Sequence, residues 1–174
     1  MNEQPLSVFT EKYPCKMKKI LNSVVMINTE NNLTIPAKSL WDTGATGTCI
    51  SYDLAQKLHL TPIGFQNIQT PSGSAQVKQY KVHIVLNQEL VVQDVTVFDS
   101  EIGQQGLDVL IGMDIISLGD FAISNYNDTT QFSFRIPSQE HVDYKGKEKI
   151  NSYTHRAREI KLLSFSYIPK GGDT

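Results

Sequence analysis

The chain has 174 residues, 40% of them hydrophobic, which suits one compact domain with tails and excludes a large two-lobed enzyme with separately built halves. Lysine and arginine number 16 against 18 aspartates and glutamates, a net charge of −2, so no global basic field is available to hold a phosphate backbone and nucleic acid is not the expected partner. Two cysteines, Cys15 and Cys49, are too few for a disulfide framework and lack CxxC spacing, so they read as reduced thiols.

Residues 1–18 are polar, carry Pro5 and Pro14 and show no sustained period, which predicts an arm or a short edge strand. They contain no apolar stretch of the signal-peptide kind, and Val24 to Ile27 is far too short to cross a membrane. A soluble cytoplasmic protein without a membrane partner is expected. From Ile20, apolar residues alternate through Val24 and Met26, Asn28 to Asn32 supplies turn chemistry, and Leu33, Ile35 and Ala37 resume the alternation, predicting a hairpin. Its second strand runs through Leu40 and Trp41 into a loop containing Gly44 and Gly47. Tyr52 to Leu60 spaces its apolar residues helically and is the clearest helix of the core.

A second hairpin follows, with Ile63 to Thr70 and Ala75 to Leu86 flanking a small-residue turn at Pro71, Ser72, Gly73 and Ser74. Leu90 to Phe98 reads as a strand, Val109 to Ile116 as an apolar stretch broken by Gly112, and Phe121 to Ile123 as pairing with Phe132 to Ile136 across Asn127 and Asp128. Seven or eight short strands at roughly ten-residue spacing predict an all-β closed barrel or sandwich with one or two short helices. The organisation expected is an arm over 1–19, a domain over 20–137 and a basic extension over 138–174. In that extension Ile150, Tyr153, Ala157 and Ile160 suggest a helix, and Leu163, Phe165 and Tyr167 a strand.

Most catalytic devices are missing from the sequence. It has no phosphate-cradling glycine loop, no HExxH and no GxSxG, and His59, His83, His141 and His155 show no ligand spacing with the cysteines. No metal and no organic cofactor is expected. Cys49 reads as a small buried hydrophobe rather than a nucleophile. Asp108, Asp114 and Asp120, six apart, read as structural or surface carboxylates.

Asp42-Thr43-Gly44 remains. An aspartate just past an apolar strand, followed by a hydroxyl and a bare glycine backbone, is held rigidly at a strand-to-loop transition. Peptide hydrolysis through an activated water needs two carboxyl groups, one ionised to accept a proton and one protonated to give one. The chain carries no second DTG, so the missing acid can come from a second copy about a two-fold axis, making a homodimer.

Trp41 to Ser51, WDTGATGTCIS, resembles the active-site loop of the retropepsin-like aspartic proteases, a group of single-domain retroviral, retrotransposon, cellular and bacterial enzymes. Val109 to Ile116, VLIGMDII, is similar to the hydrophobic-hydrophobic-Gly segment that threads behind that loop, and Thr70 to Ser74 falls where the family carries its flap. The resemblance implies a retropepsin-like barrel and an aspartic endopeptidase acting on a peptide or protein substrate. It makes Asp42 the catalytic aspartate, with Thr43 bonding across the dimer axis and Gly44 offering its carbonyl to substrate. Ala45, Thr46 and Pro71 to Ser74 would line the substrate, and Ile111 and Gly112 would support the loop. The chain departs from the family at Trp41, where a small aliphatic residue is usual, and at Thr46, where retroviral members carry an acid. Ala45 lacks the hydroxyl that pepsin-like enzymes aim at the aspartate, which implies a less acidic activity optimum. The alternatives are a non-catalytic dimeric peptide-binding module, disfavoured by the intact DTG, and an actin-like ATPase fragment suggested by DTGAT, which would need twice the length and βαβ units.

Overall fold

The computed structural model describes residues 6–70, 73–87 and 90–143, with side chains omitted for 68–70. The helix and strand expected within 138–174 therefore lie outside the described residues. Almost all of the described chain falls in one compact unit that ends at Glu140.

The first hairpin is strand β2 (Ile20–Asn28) and strand β3 (Thr34–Trp41), in register from Ile20 opposite Trp41 to Ile27 opposite Thr34. Every second residue of β2 is buried, so Ile20, Val24 and Met26 face the core as the alternation requires. Asn28 closes the hairpin: its side-chain carbonyl accepts from the Glu30 N–H at 2.7 Å, and its amide donates to the Leu58 carbonyl at 2.8 Å. Strand β4 (Cys49–Ser51) then leads into helix α1 (Tyr52–Lys57). Ser51 caps α1 by accepting from the Leu54 N–H at 3.2 Å, and Leu54 and Ala55 are its buried side.

Strands β5 (Gly64–Thr70) and β6 (Gly73–Asn87) form the second hairpin, which pairs Thr70 with Gly73, a residue at φ +122° that suits glycine. Strand β7 (Leu90–Ser100) and a 3-10 turn over 101–105 follow, then strand β8 (Val109–Ile111) and the single-turn helix α2 (Met113–Ile116). One sheet runs β2-β3-β8-β4-β7-β6 and closes by a further pairing of β6 with β2, giving a six-stranded barrel to which β5 is added outside. Two junctions, β3 with β8 and β4 with β7, are parallel. Val24, Met26, Ile50, Val82, Ile84, Val97, Val109 and Ile111 fill the interior, each at most 2% exposed. The chain is thus all-β, with few and short helices.

A separate three-stranded sheet joins strand β1 (Ser7–Tyr13), strand β10 (Thr129–Ile136) and strand β9 (Asp120–Tyr126), in that order reading β1-β10-β9. The arm or edge strand expected at the N-terminus is therefore the edge strand β1, and its Phe9 is buried. Asn127 and Asp128, at φ 49° and 59°, make the two-residue turn between β9 and β10. Trp41, at the end of β3, ties this sheet to the barrel. Its ring centroid lies 4.9 Å from those of Phe132 and Phe134 and 6.1 Å from that of Phe9. Its indole N–H donates to the Asn22 side-chain carbonyl at 2.9 Å, so the aromatic replacing a small aliphatic before the aspartate is both packed and satisfied. Among the described residues no helix is long and apolar enough to cross a membrane.

Trp41→Ala should lower stability by about 3–5 kcal/mol, because it empties the contact between barrel and sheet and removes the indole donor from the Asn22 carbonyl, which keeps only the Ser39 hydroxyl. Urea unfolding followed by circular dichroism measures it. A loss under about 1 kcal/mol would show that the sheet docks without the indole.

Candidate active site

Asp42 stands where β3 ends, and the loop from Asp42 to Thr48 carries it into β4. A loop of this kind must satisfy its backbone groups without a regular ladder. It does so against the turn between β8 and α2. The Asp42 N–H donates to the Ile111 carbonyl at 2.9 Å; the Ala45 carbonyl accepts from the Met113 N–H at 2.8 Å, and the Thr46 carbonyl from the Asp114 N–H at 3.2 Å. Thr48 and Asp114 add a side-chain clamp. The Asp114 carboxylate accepts from the Thr48 N–H at 2.9 Å and from its hydroxyl at 2.7 Å, and the same hydroxyl oxygen accepts from the Gly112 N–H at 3.1 Å.

Two glycines let these backbones meet. A Cβ on Gly112 would lie 2.6 Å from the carbonyl carbon and oxygen of Gly47, and one on Gly47 would lie 2.8 Å from the Phe98 ring. Neither position has space for a methyl group.

The half-buried Asp42 carboxylate accepts from the Gly44 N–H at 2.9 Å, a local bond that turns it back over its own loop. Thr43, Gly44 and Thr46 are exposed, and Ala45 is half-buried. The Thr43 hydroxyl makes no hydrogen bond to another described residue. Asp42 and Thr43 also border a cleft of about 430 Å³ whose apolar wall includes Ile20, Trp41, Phe121 and Ile123. Asp42 through Thr46 thus occupy one loop, with Ile111 and Gly112 directly behind it. Gly73 and Ser74 belong to a different element, the start of β6, where they pair with Thr70 and Gln69. Pro71 and Ser72 lie outside the described residues.

Residue types alone leave Thr48 without a role and read Asp114 only as a structural or surface carboxylate. Asp114 is a structural carboxylate, and its task is to fasten the loop that bears Asp42. The available signal was its place two residues after Gly112, within the second motif. Cys49 is half-buried and its thiol is pushed up to about 11, first by burial, with the charges of Asp114 and Asp42 adding and a Ser100 hydrogen bond opposing. A thiol held neutral in this way is a poor nucleophile.

The sequence from residue 27 to residue 117, just over half of the chain, matches the family model described as "gag-polyprotein putative aspartyl protease". The chain belongs to that aspartyl protease family. Among solved structures it is similar to a retropepsin-like aspartic protease from Rickettsia conorii, with 16% identity over 78% of this chain and 98% of that one and a TM-score of 0.49. It is also similar to the EIAV protease bound to the inhibitor HBY-793, with 17% identity over 57% of this chain and 86% of that one and a TM-score of 0.44. For the simian foamy virus protease the identity is 22% over 55% of this chain and 92% of that one, with a TM-score of 0.38. No curated protein sequence matches it significantly. Membership supports aspartic-protease activity, and the matched residues include both the DTG loop and the Gly112 segment.

In this member of the aspartyl protease family Gly112→Ala should cost about 3 kcal/mol, since backbone rather than a movable side chain meets the new methyl. Asp114→Ala should cost about 2 kcal/mol by leaving the Thr48 donors unpaired, and Asp114→Asn less. Thermal unfolding of the three variants checks both, and a neutral Gly112→Ala would refute the close approach. At pH 8 a thiol reagent should label exposed Cys15 well before Cys49. Because the folded state holds the Cys49 thiol neutral to higher pH, its linked contribution is intact below about 9 and is lost as pH rises toward about 11. A Cys49→Ala variant should show a smaller loss of stability over that range.

Proposed function

We propose that the protein is an aspartic endopeptidase that works as a homodimer, with Asp42 of each copy forming a two-carboxylate site around one water. The observation that supports this most directly is that a single DTG aspartate, held by the Gly44 N–H and the Ile111 carbonyl, begins a clamped loop bordering an open cleft. One such carboxylate is half of a general acid–base pair. Two like acids side by side share a proton, so one is ionised and the other protonated. The ionised carboxylate takes a proton from the water as its oxygen attacks the scissile carbonyl. The protonated carboxyl gives its proton to the carbonyl oxygen. In the collapse of the tetrahedral intermediate the roles reverse and the amine leaves protonated.

We assign the exposed Thr43 hydroxyl, which has no hydrogen bond to another described residue, to a bond across the dimer axis. The Gly44 carbonyl and the Thr46 N–H are the backbone groups of this loop assigned to an extended peptide, with Ala45 between them, and the β5–β6 hairpin serves as the flap that excludes water, with Pro71 to Ser74 assigned to substrate contact. Gly44 is the one described donor to the Asp42 carboxylate, and Ala45 supplies no hydroxyl.

Asp42→Asn keeps the shape but cannot cycle a proton, and should reduce cleavage of a peptide library by at least about 10³-fold. Mixing equal amounts of wild type and Asp42→Asn, with subunit exchange, should leave about a quarter of the activity, because only wild-type pairs have both acids. Half of the activity remaining would mean that each chain cleaves alone and would sink the shared site. Sedimentation should show a dimer in the active sample.

A further inference from the structure

Asp99 is a buried carboxylate, 4% exposed, that the hydrolytic mechanism does not use. Burying a charge costs several kcal/mol unless its oxygens are well bonded, so its partners indicate what it is held for. One oxygen accepts from the Lys78 N–H at 2.9 Å and the other from the Tyr80 hydroxyl at 3.1 Å. Both partners are on β6, and both lie where that strand changes neighbours. The ladder between β6 and β7 runs to Gln79 opposite Phe98 and no further, whereas from Gly73 to Gln79 the strand pairs with β5. At Lys78 the side chain of Asp99 therefore supplies the acceptor that a continuing β7 backbone would have provided. Beyond it a two-stranded ribbon leaves the barrel, and such a ribbon is marginal by itself.

The next residue back, Phe98, reaches the other functional element. Its N–H donates to the Thr48 carbonyl at 3.2 Å, and its ring packs against Gly47, where an added Cβ would collide at 2.8 Å. Two consecutive residues of β7 thus touch the loop bearing Asp42 and the root of the β5–β6 ribbon. The Tyr80 phenol is pushed up to about 12, first by burial, then by the Asp99 charge and hydrogen bond, so it remains a donor at every working pH.

We infer that Asp99, through Lys78 and Tyr80, is a positioning residue that fixes the root of the flap ribbon relative to the catalytic loop held by Phe98. The inference rests on the reading of β5–β6 as a flap, and it names the device that sets where that flap starts. The ribbon should pivot at Gln79, with Asp99 limiting the pivot. Substrate capture would then depend on a carboxylate that touches no substrate.

Asp99→Asn and Tyr80→Phe test this, the second being a milder change that keeps the aromatic packing. Hydrogen exchange should speed up roughly tenfold at the ribbon amides of 64–67 and 73–78, while β2 and β3 keep wild-type rates. With a cleavable peptide, KM should rise roughly three- to tenfold and kcat change less, and the double variant should lose less than the product of the two single losses. A purely structural role would instead accelerate exchange throughout the barrel and lower kcat and KM effects together with the folded fraction; that result would overturn the inference, as would unchanged ribbon exchange or an unchanged KM. The exchange measurement needs no activity. A wild type without Asp42-dependent cleavage would therefore defeat the protease reading while the exchange result still decides whether Asp99 anchors the ribbon.

Discussion

Backbone meets backbone at Gly47 and Gly112, and the placement of the aspartate depends on that contact. With a Cβ at Gly112 the β8–α2 turn could not pass so closely behind the 42–48 loop, and one at Gly47 would push that loop off the Phe98 ring. Because it does pass there, the N–H groups of Met113 and Asp114 reach the loop carbonyls of Ala45 and Thr46, and the Ile111 carbonyl reaches Asp42 itself. A stretch without regular structure thereby gains nearly the hydrogen-bond satisfaction of a strand, which is what keeps a half-buried carboxylate in one orientation. The Thr48–Asp114 clamp closes the same contact from the side.

Rigidity is unevenly distributed around this contact, and the distribution follows from burial. The barrel closes on itself, so its core strands have neighbours on both sides and their inward residues are excluded from water. The ribbon of β5 and the first half of β6 has Phe65 at 63% exposure and Ile63 at 55% just before it, with one hydrogen-bonded neighbour instead of two. Local opening costs least where apolar burial is least. A clamped aspartate loop on the stiff part beside an outlying ribbon on the soft part is a division that strand topology alone produces.

Much of this was legible in the residues. Period-two alternation marked the strands of both hairpins, and Asn127-Asp128 marked a turn, because side-chain direction and positive φ are local properties. The DTG loop and the Gly112 segment could be singled out as motifs, yet their direct contact joins positions about seventy residues apart, and no local rule reports such a pairing. Asp114 was left among undistinguished carboxylates for that reason: its partner Thr48 is 66 residues away. Asp99 was silent altogether, since a carboxylate in a strand becomes informative only when its burial and the end of a neighbouring ladder are both seen. The short helix α2 was hidden in a run that read simply as apolar, four residues being too few to show a period.

Barrel closure also limits how anything extended can be added to the molecule. Pairing a further strand requires a free edge, and closure of the six barrel strands removes most of theirs. Among the described residues, free edges include both strands of the ribbon, β5 and the start of β6, and β1 and β9 on either side of the small sheet that Trp41 holds against the barrel. Phe121 and Ile123 of β9 border the same cleft as Asp42 and Thr43, whereas β5 belongs to the β5–β6 ribbon. A strand added at one of these edges would therefore join either the ribbon or the small sheet, two elements that share no strand.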